Sequence, residues 1–453
     1  MLKSMNQPFI AAVIACSAAS GAQAQSSVEA TGATRTLITN VDVFDGVDET
    51  LIENASVLIE GNLISAVSTE PVDSEGATVI DGAGHTLIPG LIDAHWHVTY
   101  CCAPQSVVIT GDVLEVAIRG ALGAEETLLR GFTTVRDTGG NSFSIKKMID
   151  AGELVGPRIL PSGPPITQAG GHTDYRPYQA VPSNPGDSLW YWYANGVMLQ
   201  ADGVPEVILR TREVMRMGAS QIKISAGGGV SSLYDPLDVR QYTKAELEAF
   251  VEVADTYNTY VMAHIFTNEA AQIALEAGVK SIEHGNLLNE ETLRMIKEKD
   301  AWLSVQPILN DEDAIQFADP VSTAKFEQVT EGTINSIRMA KDMGVNIAFG
   351  TDMLFDPVLS RKQAEFVAKM KLWFTPAEVM ELVTSNNAKL LELAGPRHPY
   401  QQGPLGVIEP GAYADLILVD GNPLEDIDLV ADPEGNFNLI MKDGVIFKNT
   451  LAE

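Results

Sequence analysis

The sequence predicts an α/β protein: a (β/α)8 TIM barrel joined to a small β-sandwich domain built from both termini. Two observations carry that prediction. Through the middle of the chain, short apolar runs alternate with amphipathic stretches eight times, the pattern of a closed parallel barrel. At both ends the texture changes to branched-apolar runs broken by Gly, Asn and Asp, which reads as strands joined by tight turns. The expected boundaries are 25–90 and 399–453 for the two parts of the β-sandwich domain, and 91–398 for the barrel.

The elements follow in chain order. Residues 1–24 read as an export signal. Lys3 provides a positive start, "FIAAVIA" (Phe9 to Ala15) an apolar core too short to span a bilayer, and "GAQAQ" a cleavage site ending at Ala24. The expected location is therefore a periplasm or the exterior. The alternative is "VIAC", which resembles a lipoprotein box and would leave the protein anchored through a lipidated Cys16. Next come "TLITNVDVFDG", "NASVLIEGNLISAVS" and "TVIDGAGHTLIPG", whose counterparts at the far end are "PGAYADLILVDG" and "NLIMKDGVIFKN". Between them lie eight barrel strands: "LIDAHWH", "FTTVRD", "RILPSG", "QIKISAG", "TYVMAHIF", "SIEHGN", "WLSVQPIL" and "NIAFGTD". Helical spacing of apolar residues marks "KAELEAFVEVADTYN" and "NEAAQIALEAG" among the intervening segments. The stretch "GGHTDYRPYQAVPSNPGDSLWYWYANG" is too rich in Gly, Pro and aromatics for a helix. It reads as a long functional insert.

A net charge of −30 disfavours nucleic acid and anionic membranes as partners. Once residues 1–24 are removed, only the adjacent Cys101 and Cys102 remain. Such neighbours pair only with strain, so both are expected to be reduced.

Ionisable residues placed on these strands converge. The first strand ends in His95 and His97, two apart and hence on one face. Lys223 lies in the fourth, His264 in the fifth, His284 in the sixth and Asp352 in the eighth. Four of only seven histidines thus fall near the C-terminal ends of barrel strands, where barrel enzymes place their chemistry. Lys223 sits between two isoleucines, and an unpaired buried ammonium is expensive. Burial lowers its pKa and frees the amine, one outcome being carboxylation; the alternative is a lysine paired with a carboxylate such as Asp352, or one snorkelling outward. His85 and His398 lie off the strands and read as structural or surface residues.

The set "HWH", strand-four lysine, "AHIF", "IEHG" and "GTD" resembles the amidohydrolase superfamily in its binuclear form. The resemblance covers nearly the whole chain after residue 24. It implies two divalent metal ions, with His95, His97 and Asp352 on one, His264 and His284 on the other, and carboxylated Lys223 and a hydroxide bridging them. Nitrogen and oxygen ligands favour zinc, with manganese, cobalt or iron also compatible. The implied chemistry is amide hydrolysis by the bridging hydroxide, with Asp352 as general base and then general acid.

Within the superfamily, "GFTTVRDTGG", "GGHTDYR", "KISAGGGVSSLYDPLD" and "VKSIEHGN" resemble the imidazolonepropionase-like branch. They look most like its prolidase-like dipeptidases and carboxypeptidases and its ochratoxin-type amidohydrolases. That resemblance implies a dipeptide or N-acyl amino acid substrate with a free carboxylate, and a homo-oligomer. It assigns His172 to polarising the substrate carbonyl and Tyr234 to the α-carboxylate. Arg176, four residues beyond His172, is a further candidate for that carboxylate by bidentate pairing. Met353, Leu354 and Phe355 after the "GTD" aspartate, with "WYWY" (Trp190 to Tyr193), point to a bulky aromatic acyl group. A cyclic amide or lactone hydrolase is the alternative enzyme, and an inactive metal-binding protein the alternative from another class.

Overall fold

The computed structural model describes residues 34–177, 180, 190–232, 234–317 and 319–451. The expected export signal, Cys16 and residues 181–189 of the insert lie outside the described residues.

Each of the eight expected barrel runs forms a strand. In order they are Leu91–Trp96, Phe132–Asp137, Arg158–Pro161, Ile222–Ser225, Val261–Ile265, Ser281–His284, Trp302–Val305 and Asn346–Phe349. Nearly every residue in them is buried, as strands covered on both faces require. Neighbours pair in parallel from the first strand to the third and from the fourth to the eighth. Between the third and fourth, Ser220 N donates to Pro161 O at 2.7 Å. A short strand, Ile166–Thr167, also pairs with the fourth there.

The eighth strand closes the ring against the first. Asp352 N donates to His95 O at 2.8 Å. Gly350 lies so near the first strand that a Cβ on it would fall 2.5 Å from His95 N, so only glycine fits this seam.

The helices form where the apolar periodicity places them. Lys244–Thr256 begins with a capping box between Thr243 and Glu246, and Asn268–Ala277 stops at Gly278, whose φ is 104°. The longest, Pro320–Asp342, lies between the seventh and eighth barrel strands. The insert yields one short helix after all, Tyr191–Ala194, in which Trp192 and Tyr193 are buried. Among the described residues no helix is long and apolar enough to cross a membrane.

The termini share one mixed eight-stranded sheet. The strand Leu416–Val419 pairs antiparallel with Thr86–Pro89 and joins the C-terminal strands to the N-terminal ones. A bridge between Leu63 and Tyr413 brings the far edge of the sheet back toward this join. The sheet has its own core, including Ile38, Val57, Ile59, Leu416 and Met441. It is fastened to the barrel by Arg158, which reaches Asp415 at 3.1 Å and Asp443 at 2.7 Å.

Candidate active site

The six ionisable residues expected to converge do so at the C-terminal mouth of the barrel. His95 Nε2 lies 3.3 Å from Asp352 Oδ1 and 3.3 Å from Lys223 Nζ, and His97 Nε2 lies 3.1 Å from the same Asp352 oxygen. Opposite them, His264 Nδ1 and His284 Nε2 are 2.7 Å apart. His95, His284 and Asp352 offer ligand atoms that all lie within 4.8 Å of one another. This trio takes one histidine from each expected metal set, with Asp352 between them.

His284 and Asp352 have φ values of 78° and 52°, in the left-handed region that costs about 1–3 kcal/mol for a non-glycine residue. His284 ends the sixth strand, and Asp352 follows the eighth by three residues.

Beneath the site lies a dense polar layer. Glu283, fully buried, receives His95 Nδ1 at 2.7 Å and both contacts of Arg136 Nη2, at 2.8 and 2.9 Å. Ser281 Oγ donates to it at 2.6 Å. Asp93 accepts from His95 N at 2.9 Å, Thr351 Oγ1 at 2.6 Å and Gln363 Nε2 at 2.9 Å. These partners fix the ring and backbone of His95, as outer contacts of metal-binding histidines generally do. His284 Nδ1 is likewise fixed by Gln306 Oε1 at 2.8 Å.

The charge states follow from burial and neighbours. Burial lowers the pKa of His97, that of His264 well below the usual range, and that of His284 to about 3. Burial pushes the Asp352 carboxyl up, but the nearby histidines outweigh it and hold it well below the ordinary carboxylate range. Burial also lowers Lys223 to about 8, against the pull of Glu283 and Asp352. Neutral imidazoles beside an ionised carboxylate are the protonation state that binding of a divalent metal requires. The donor set therefore fits a metal.

Above these residues opens a cavity of about 1040 Å³, its mouth included. One wall carries Tyr100, Tyr175, Leu354 and Phe355, and another carries Phe266, Ile308, Phe317 and Phe326. His172 also lines it, stacked on His264 with ring centroids 3.9 Å apart. Its Nδ1 is 2.7 Å from Ser232 Oγ, and its backbone N donates to Gln241. Gly229 lies so near that a Cβ there would overlap the His172 ring at 1.8 Å.

Two expected substrate contacts are not brought to the cavity. Arg176 Nε and Nη2 donate to Asp174 at 2.8 and 2.7 Å, and the guanidinium does not line the cavity. The acid that satisfies it is only two residues away, so it braces its own loop. Tyr234 is 45% exposed and also lies outside the lining. Of the bulky candidates, Leu354 and Phe355 reach the cavity, whereas Trp192 and Tyr193 pack behind it with Tyr100 and Met198. Met353 is buried outside the lining. Cys101 and Cys102 are free thiols, His85 meets Asn438, and His398 Nδ1 accepts from Tyr400 N.

Sequence reasoning passed over Glu283, Arg136 and Asp93. All three are charged residues within apolar strands, the same signal that singled out Lys223. It also passed over Lys325, whose buried ammonium donates to the carbonyls of Gly229, Ser232 and Asp235 and so holds the loop that supports His172.

A metal-binding trio at the mouth of such a barrel defines a metal-dependent hydrolase acting on carbon–nitrogen bonds. The chain belongs to the amidohydrolase family, which it matches over residues 86–447. It is 31% identical over 420 residues to ochratoxinase of Aspergillus niger, spanning 88% of this chain and 83% of that one. Its fold superposes with a TM-score of 0.84 on a prolidase complexed with N-methylphosphonate-L-proline, at 35% identity, covering 92% of this chain and all of the other. A Xaa-Pro dipeptidase with methionine in its active site gives a TM-score of 0.79 at 29% identity, with the same coverage.

Proposed function

We propose that the protein is an exported two-metal amidohydrolase that cleaves the amide bond to a C-terminal amino acid in dipeptides or N-acyl amino acids. The observation that carries this reading is the composition of one cavity. Its floor holds four histidines, Lys223 and Asp352, and its walls are aromatic and aliphatic. The likeness to an ochratoxinase, a prolidase and a Xaa-Pro dipeptidase supports the substrate class. Residues 1–24 would direct the chain out of the cytoplasm.

In this reading His95, His97 and Asp352 would hold one ion and His264 and His284 a second, and Lys223, if carboxylated, would add a ligand between the two sets. Ligation by nitrogen and oxygen suits zinc. Divalent ions bound there supply polarisation of the scissile carbonyl and acidification of water. The protein's own residues do the rest. Asp352 accepts the proton of the attacking water and passes it to the leaving nitrogen. His172, oriented through Nδ1 by Ser232, keeps Nε2 available to the carbonyl oxygen. Tyr234 would meet the substrate carboxylate on inward movement of its loop. The apolar walls take the acyl group and the released side chain.

A screen of the metal-replete protein against dipeptides, N-acyl amino acids, cyclic amides and lactones tests this. Release of free C-terminal amino acids from the open-chain series is the expected result. Turnover confined to the cyclic compounds would overturn it.

A further inference from the structure

Behind His172 lies a pair of buried charges that metal binding does not explain. Lys325 stands on the long helix Pro320–Asp342, and Asp235 in the loop after the fourth barrel strand. Their side chains are 10% and 0% exposed. An ammonium has three protons to donate, and Lys325 Nζ directs them at the carbonyls of Gly229, Ser232 and Asp235, at 2.9, 2.9 and 2.8 Å. Its charge faces Asp235 Oδ1 at 3.8 Å. That carboxylate oxygen has no hydrogen-bond partner among the described residues, so the ammonium is its compensation. A buried ion pair of this kind is weak evidence for stability, because well-packed apolar side chains would serve the fold as well.

The other carboxylate oxygen points to what the pair does. Asp235 Oδ2 accepts from Gly229 N at 2.6 Å and lies 3.4 Å from His172 Nδ1. Ser232 Oγ sits 2.7 Å from the same ring nitrogen. Gly229 closes that edge of the ring, since a Cβ on it would fall 1.8 Å from Nδ1. Two oxygens beside one ring atom call for a nitrogen there, and the ring turned over would set a C–H against both. One face of the ring is covered by His264, with centroids 3.9 Å apart. With the Nδ1 edge and one face occupied, Nε2 is the nitrogen left for the cavity that His172 lines.

We propose that Asp235 and Lys325 are positioning residues: their ion pair locks the His172 ring so that Nε2, and not a carbon edge, meets the substrate. The proposal rests on the reading that His172 serves amide hydrolysis at this site.

Asp235→Asn and Lys325→Met test it in the metal-loaded protein. Each should lower kcat for an N-acyl amino acid by about a hundredfold, the scale of one group aimed at the reacting oxygen, with KM within about twofold of its original value. Bound metal, measured by elemental analysis, should stay unchanged. In a His172→Asn background neither change should cost more than about threefold further, because the ring through which both act is gone. Residues that only support the fold would give equal losses in both backgrounds, and that result would overturn the proposal.

Ring-nitrogen NMR with isotope-labelled histidine provides a readout without turnover. The chain has seven histidines, and His172→Asn identifies the signals of His172. Those signals should shift in Asp235→Asn and in Lys325→Met, while those of His85 and His398 stay in place. Unchanged His172 signals in both variants would overturn the proposal. Asp235→Asn keeps the shape of the side chain and carries the test if Lys325→Met does not fold. Absence of amide hydrolysis in the unaltered protein would sink the proposed function, and the ring signals would still decide whether Asp235 and Lys325 position His172.

Discussion

The floor and the rim of the cavity are built on different principles. On the floor, His95, Glu283, Arg136 and Asp93 form a buried network in which each side chain is held by several partners. On the rim, His172 is held by loop contacts with Ser232, Gln241 and Asp235 and by the His264 ring, Arg176 is satisfied within its own loop, and Tyr234 is half exposed. Groups that must hold a metal need positions fixed to a fraction of an ångström, which strands inside a packed barrel supply. Groups that choose a substrate need only be near it, and loops can change without disturbing the floor.

Removing a floor residue should therefore have the largest effect. Under the proposed two-metal reading, Lys223→Ala is expected to lower the bound metal content and to reduce amide hydrolysis to background, measured by elemental analysis and a steady-state assay. A small added carboxylate should restore part of both. Full activity in that variant would show that Lys223 takes no part in the metal centre.

Glu283→Gln tests whether the layer under the ligands matters independently of the ligands themselves. Gln keeps the shape but leaves the Arg136 charge buried and unpaired, at a cost of about 3–5 kcal/mol in denaturant unfolding. Metal affinity should fall by about 10–100-fold through the loosened His95 ring. The pH dependence gives the sign. Burial raises the Glu283 carboxyl, but Arg136 and His95 outweigh it and hold it well below its ordinary value of 4.5. Its contribution to stability is thus fully present above pH 4.5 and is lost only as pH falls toward the folded-state value. The variant should lack that acid limb. A variant whose melting temperature falls as steeply between pH 7 and pH 3 as that of the unaltered protein would contradict this account.

The smallest effect belongs to the rim. Tyr234→Phe should raise KM for carboxylate-bearing substrates by about tenfold with kcat unchanged, the lower end of the scale of a hydrogen bond to a charged group. No change in KM would remove Tyr234 from the binding set and leave the rim without a tyrosine contact to the carboxylate.

The same division explains what could be read in advance. Strand order and the convergence of ionisable residues at the barrel mouth were legible because such a residue in an apolar run is conspicuous wherever it stands. Lys223 and the four histidines announce themselves in this way. Arg136 and Glu283 carry the same mark, but they lie 147 residues apart and their pairing exists only in the closed ring. Arg176 is different, because its pairing with Asp174, two residues away, is local and shows only once the side chains are placed. The "WYWY" run reveals bulk, and only packing shows that Trp192 and Tyr193 stand behind the wall.

The seam at Gly350 has a consequence for how the site comes into being. His95 and His97 leave the ribosome more than two hundred and fifty residues before Asp352. Until the eighth strand docks on the first, those histidines have no carboxylate to share. A truncated or half-folded chain presents scattered imidazoles rather than a cage, so metal capture reports that the ring has shut. The ion is in that sense a receipt for completed assembly, and a chelator should lower the melting temperature of the whole barrel as well as its activity.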